Sequence, residues 1–356
     1  MNRWQFWIDV GGTFTDCIAC SPDGSLTEWK TLSSGAVKGE IDTVLSPDRI
    51  MVPRLAGSPS SFWSGWKLSV QTDQQAEPWS TFVTDSTTEG EFTLANALPN
   101  EVASSDSTMS FELHCGESAP LICIRHILNL RLDEPIPAVD VRMGTTRGTN
   151  ALLERKGATT AFLVTQGFGD LLKIGNQDRP DLFALNIHKF EPLASQVVEM
   201  QERLAADGSV LQSLDEDHAR QQLQRLHEQG MESVAICLLH AYRNPVHEQR
   251  LLELARSVGF DSVSCSSNVA PVIKAVSRGE TTVLDAYLNP VLHSYVSQIE
   301  SRLGSGSTLK LMSSQGGLIN GREFSGKESI LSGPAGGVIA YAEIARHAGF
   351  DQAIGF

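Results

Sequence analysis

A chain of 356 residues is long enough to bury an ordinary core in two or three domains, and a composition of 41% hydrophobic and 20% charged residues suggests neither disorder nor a fibrous repeat. Its formal charge of −14 argues against a general nucleic-acid backbone binder, which needs clustered Lys and Arg, but leaves room for a local basic pocket. The apolar run in "MNRWQFWIDV" is too short for a signal peptide, no run reaches the roughly 18 residues of a membrane span, and 6 cysteines scattered through a long chain fit a reducing cytoplasm.

Residues 1 to 45 predict a β-meander. In "FWIDVGGTFTDCIAC" Asp9, Gly11, Gly12, Thr13, Thr15 and Asp16 lie between two apolar strand-like runs, and Asp23-Gly24 signals the next hairpin. The glycines permit backbone angles closed to other residues and leave N–H groups open to a ligand, and the threonine hydroxyls add donors. Acids at both ends are placed to hold a hydrated divalent cation or to orient a water. A phosphate-binding turn is expected, and it is neither a Walker A loop nor a Rossmann loop, because G-x-x-x-x-G-K-[ST] and G-x-G-x-x-G are both absent here. Cys17 and Cys20 are three apart on a strand and point to opposite faces, so this lone C-x-x-C is not expected to bind metal.

Residues 46 to 135 are rich in Ser and Thr, with short alternating runs such as "FWSGWKLSV" and "TMSFELHCG", and predict an inserted β-rich subdomain. Its Trp63, Trp66 and Trp79 are expected in the core rather than on a sugar or base platform. From 136 onward strands and helices alternate. "LDEDHARQQLQRLHEQG" is an amphipathic helix ending at Gly230, "SVAICLL" a buried strand, and "NPVHEQRLLELARSVG" a helix capped by Asn244. This rhythm predicts a parallel or mixed sheet covered by helices. In "TTVLDAYLNPVLHSYVSQIESRLG" Pro290 predicts a kink or a break.

Three further stretches carry chemistry. "VRMGTTRGTNALLERKG" sets Thr145, Thr146, Arg147, Thr149 and Asn150 before a helix, a pattern suited to an anionic group at the helix N-terminus. "LSGPAGGVIAYAEIA" offers Ser332 as N-cap, Pro334 in the first turn, and Gly336 and Gly337 for close packing at the helix start. "IGNQDRPDLF" is a polar loop in which Arg179 is suited to clamping a carboxylate bidentately. His240 and His247 are read as ordinary histidines rather than a metal pair. The chain ends on "AIGF", half a strand, as expected of the N-terminal part of a longer protein.

The order "DVGGTFTD", "GTTRGTNALLERKG", "IGNQDRPDLF", "RGETTVLDAYLNPVL", "MSSQGGL" and "LSGPAGGVIAYAEIARHAGFDQAIGF" resembles the N-terminal half of the hydantoinase A and 5-oxoprolinase family, over residues 1 to 35 and about 136 to 356. Met143 before Gly-Thr-Thr, where many hydantoinases have His, leans to the 5-oxoprolinase branch. The resemblance implies an α/β, actin-like ATPase fold of ribonuclease H-like domains: the first from 1–45 plus 136–205, the insert at 46–135, and a second region from 206–356 that stops before a second phosphate loop. It implies ATP and Mg2+ as cofactors and ATP-dependent opening of 5-oxoproline or a hydantoin through a phosphorylated amide. A hydantoinase B-type partner and an oligomeric enzyme are implied as well. On this reading Asp9 and Asp16 are catalytic, Asp9 holds the metal, and Gly11, Gly12, Thr13, Thr15, Ser332 and Gly333 bind the cofactor. Thr145, Thr146, Asn150 and Arg179 are the candidates for substrate contact. A phosphotransferase of the same fold, or a non-enzymatic nucleotide-gated subunit, are the alternatives.

Overall fold

The structure is a computed structural model that describes residues 3–71, 77–99, 109–177, 183, 185, 186, 189 and 191–355. The chain opens with β1 (Gln5–Val10), β2 (Phe14–Cys20), β3 (Leu26–Leu32), β4 (Ala36–Ile41), β5 (Thr43–Ser46), β6 (Arg49–Met51), β7 (Lys67–Gln71), β8 (Trp79–Ser86), β9 (Glu91–Leu94) and β10 (Met109–His114). There follow α1 (Ala119–Leu128), β11 (Asp140–Thr145), α2 (Arg147–Leu153), β12 (Thr160–Thr165), α3 (Leu171–Ile174), β13 (Gln196–Met200), β14 (Arg203–Leu204), β15 (Val210–Gln212), α4 (Glu216–Glu228) and β16 (Ser233–Cys237). The last elements are α5 (Val246–Val258), β17 (Ser262–Cys265), α6 (Ser266–Val269), α7 (Ala275–Glu300), β18 (Thr308–Met312), β19 (Leu318–Asn320), α8 (Gly326–Ser329) and α9 (Ser332–His347). Helix α7 continues through Pro290 without a break.

Two compact units result: Met1–Thr146 with Val296–Met312 and Gly317–Gly321, and Arg147–Tyr295 with Ser313–Gly316 and Arg322–Phe356. The first holds a six-stranded mixed sheet in the order β19-β18-β11-β1-β2-β3. β1 runs parallel to β11, and β11 to β18, while β1, β2 and β3 form an antiparallel meander. Burial alternates along β1 and β2, as period-two sequences dictate, so Phe6, Ile8, Cys17 and Ala19 face the core and Trp7, Asp9, Phe14, Asp16 and Ile18 face outward. Helix α1 packs on β1, β2 and β3. Arg125 of this helix, 3% exposed, donates to both Glu117 carboxylate oxygens and to the carbonyls of Arg131 and Glu134.

The inserted sheet is antiparallel, in the order β4-β10-β7-β8-β9-β6-β5. It runs from Ala36 to His114, not from 46 to 135, and α1 belongs to the six-stranded sheet instead. Seven successive buried residues, Ala119 to Arg125, hide the helical period that would have separated α1 from the insert. Trp63 and Trp66, each 1% exposed, fill the insert's core, with Trp79 half-buried against them.

The second unit is built on a four-stranded parallel sheet, β13-β12-β16-β17. Every residue of β12 and β16 is buried. One face packs Leu223, Leu226, Leu251 and Leu254 of α4 and α5 against Ala161, Leu163 and Ile236, and the other packs Val283 and Ala286 of α7 against Phe162 and Val164. The expected boundary at 205 therefore moves. β12 joins β16 because a strand apolar on both faces needs cover on both, and β18 returns to extend the first sheet beside β11.

Candidate functional site

The turn between β1 and β2 closes with Gly11 N donating to Phe14 O at 3.0 Å. Gly11 is required for space rather than for a left-handed backbone, since a Cβ there would stand 3.0 Å from the Phe14 carbonyl. Gly12 and Thr13 are exposed. β3 braces the turn: Ser33 N donates to Thr13 O at 2.9 Å, and the Ser33 hydroxyl lies 2.9 Å from that of Thr15. Thr15 is fully buried by this arrangement. Its expected role as a phosphate donor is therefore corrected: in a strand with period two it falls on the core face, opposite Asp16, and braces the turn from below.

On the outer face the register sets four residues in one row across the strands. Gly144 of β11 is opposite Asp9 of β1, Asp9 is opposite Asp16 of β2, and Asp16 is opposite Lys30 of β3. Two carboxylates facing each other repel. Lys30 relieves this by donating to Asp16 Oδ1 at 2.8 Å and Oδ2 at 3.1 Å. The Asp9 carboxylate has no salt-bridge partner among the described residues and leans to Gly144, where a Cβ would lie 2.9 Å from Asp9 Oδ1. Lys30 and Gly144 were missed in the sequence, although counting the antiparallel register back from the turn would have brought Lys30 opposite Asp16.

The polar cluster after β11 is divided between the two units. Thr145 is 1% exposed on the core face. Thr146 bonds Val10 O through both its N–H (3.0 Å) and its hydroxyl (3.2 Å) and belongs to the first unit. Arg147, Thr149 and Asn150 open the second unit, where the Arg147 guanidinium lies 4.9 Å from the Tyr295 ring centroid and Thr149 donates to Ile330 O at 2.9 Å. The unit boundary falls inside the cluster; buried Thr145 is corrected from a substrate contact to a core-face partner of β1, and half-buried Thr146 is held to Val10. Asn150 is half-buried, and Arg179 lies outside the described residues.

Ser332 is likewise not the cap of α9. It is 1% exposed and its hydroxyl donates to Ser329 O at 3.0 Å, because α8 runs almost directly into α9. Gly333 is half-buried beside it. A clamp holds this segment: Asp285 accepts from Lys327 N (3.0 Å), Ser264 Oγ (2.8 Å) and Asn289 Nδ2 (2.9 Å), and Asn289 Oδ1 accepts from Gly326 N (2.7 Å).

Other polar groups are structural. His247 Nδ1 lies 2.7 Å from Glu202 Oε2, and Thr165 donates to the same carboxylate. The acid sits between the other two, so the histidine does not reach the hydroxyl and this is not a nucleophile–base–acid relay. Cys17 faces the core, and its contact with Cys123, with burial, holds the Cys123 thiol well above its ordinary range. Burial likewise lowers His126 to about 4, with its ring stacked on Trp29 at 4.2 Å. Two cavities of about 520 and 410 Å³ in the second unit are lined by none of the predicted phosphate residues.

The hydantoinase/oxoprolinase N-terminal region model matches residues 101–259, and the hydantoinase/oxoprolinase model matches residues 278–356. The chain belongs to the hydantoinase/oxoprolinase family. It is 40% identical to 5-oxoprolinase of Saccharomyces cerevisiae over 262 residues, 63% of this chain and 20% of that protein, which sets it on the 5-oxoprolinase branch. It is 32% identical over 226 residues to the caprolactamase subunit alpha of Pseudomonas jessenii, covering 59% of this chain and 32% of that one. Two solved structures share the fold: nucleotide-free acetone carboxylase (TM-score 0.60, 21% identity, 97% of this chain and 41% of that) and the ATP-dependent caprolactamase from Pseudomonas jessenii (0.59, 24%, 98% and 41%). The family member described here thus spans about a fifth of the 5-oxoprolinase it matches. Among the described residues no helix is long and apolar enough to cross a membrane.

Proposed function

We propose that this chain is the nucleotide-binding portion of an ATP-dependent cyclic amide hydrolase that opens 5-oxoproline or a hydantoin-type ring. The observation that carries the proposal is the exposed Gly11–Thr13 turn beside the Asp9 carboxylate, on a sheet ordered β3-β2-β1-β11-β18. That order suits a ribonuclease H-like domain of the actin-like ATPase fold. ATP supplies the phosphoryl group that converts the inert amide oxygen into a leaving group. Gly12 and Thr13 offer exposed backbone N–H donors to phosphate, while the Gly11 N–H is spent on Phe14 O and shapes the turn that presents them. Asp9 suits a hydrated Mg2+, which commonly takes one or two carboxylates plus substrate phosphates; Asp16, neutralised by Lys30, is the weaker candidate ligand. A cytoplasmic, oligomeric enzyme working with a hydantoinase B-type component completes the proposal; the subunit name of the caprolactamase relative supports such a partner.

The test is ADP release by the full-length protein, with any B-type partner, in the presence of 5-oxoproline, hydantoins and sugars. Stimulation by a cyclic amide is expected, with Asp9→Ala reducing it about a thousandfold, the scale of losing a group that organises charge in the transition state. Stimulation by sugars alone would identify a phosphotransferase instead.

A further inference from the structure

The row on the outer face of the six-stranded sheet contains one cation, and its geometry exceeds what an ion pair needs. Lys30 Nζ bonds both oxygens of Asp16 and also lies 5.0 Å from the centroid of Phe14. Phe14 is two residues nearer the turn than Asp16, so the ammonium is held between the Asp16 carboxylate and a ring on the turn side of its row. Both members of the pair remain half-exposed, at 55% and 56%. An exposed pair of this kind contributes little to stability, and with two of its three N–H groups on Asp16 the ammonium keeps one donor for a ligand arriving over the turn. The strand that carries Lys30 is tied to the same turn through Ser33, which fixes the register of the ammonium against the exposed backbone N–H groups.

We propose that Lys30 is a catalytic residue that contacts the outermost phosphate of the nucleotide, and that Asp16 is a positioning residue that aims it. This rests on the nucleotide reading of the turn given above. It separates the two acids chemically: Asp9 keeps its carboxylate free for the cation, while Asp16 spends its charge on the lysine. The anion would receive backbone N–H groups from the turn and a charge-assisted hydrogen bond from Lys30. The row Asp9, Asp16, Lys30 then presents negative charge at the metal end and positive charge at the phosphate end.

The experiment uses the full-length protein and three readouts. First, an amine-acylating reagent is applied with and without Mg-ATP, and lysine labelling is read by mass spectrometry. ATP is expected to protect Lys30 but not Lys38, whose pair with Glu112 on the inserted sheet is similarly exposed and serves as the control. Second, isothermal titration compares ATP with AMP. Lys30→Ala is expected to weaken ATP about tenfold while leaving AMP within about twofold, and Lys30→Arg to recover part of the loss, as a retained charge requires. Third, Asp16→Asn is expected to give a smaller loss, and Lys30→Ala with Asp16→Ala no more than Lys30→Ala alone, because the aspartate acts through the lysine. Unfolding midpoints report the fold of each variant. If the wild type binds ATP while Lys30 stays equally labelled and Lys30→Ala binds as well as wild type, the assignment of Lys30 is overturned and the turn's role stands. If the wild type binds no nucleotide, the reading of the turn falls and this assignment falls with it.

Discussion

The six-stranded sheet of the first unit and the four-stranded sheet of the second use their strands differently. β12 and β16 are buried at every position, covered by α4 and α5 on one side and α7 on the other, and their side chains have no face left for chemistry. β1 and β2 alternate, so half of their residues build a core and the other half carry the row from Gly144 to Lys30 on an exposed face. A strand gives up about half of its burial to hold a site. The difference predicts that substitutions in the second sheet act on stability and those in the outer row act on activity.

The largest expected effect tests the scaffold side. Phe162, fully buried between β12 and α7, should cost about 4 kcal/mol as Phe162→Ala, read by denaturant unfolding. A loss under about 1 kcal/mol would mean that this sheet is not covered on both faces. Next is the core face of the first unit. His126 is held neutral down to about 4 by burial, whereas the unfolded chain takes up its proton near the ordinary value of about 6.5. Stability conferred by the neutral ring is thus complete above about 6.5 and falls as pH drops toward 4, by up to about 3 kcal/mol. Trp29 fluorescence should follow that acid limb, and His126→Phe should flatten it. The smallest effect sharpens the contrast most. Gly144→Ala places a methyl against Asp9 Oδ1, so it should lower turnover by the full-length enzyme about tenfold while shifting the unfolding free energy by less than about 1 kcal/mol. Equal losses in both would erase the distinction between the two sheets.

Much of this was legible in the residues. The β1–β2 turn, the helices at 216–228 and 246–258, the core tryptophans and the family resemblance all followed from local period and motif order. What escaped was set by pairing over distance. Thr15 and Thr145 looked like ligand donors until parity placed them on the core face, and Lys30 gained meaning only from its register with Asp16, 14 residues away. Ser332 looked like a helix cap, but the hydroxyl of a buried serine was claimed by the preceding turn. The division of the chain depended on β18 returning across more than 160 residues to β11, which no local pattern encodes.

The inserted sheet enters through β4 and leaves through β10, and these two strands are antiparallel neighbours with Ala36 opposite His114. To the six-stranded sheet, everything between them is a detour that returns to within about 5 Å of its departure. Such a joint is a graft point. A change of length within the cassette is therefore expected to leave the register of β1, β2 and β3 in place, provided that something still covers the Trp29, Ile122 and His126 seat on which it rests.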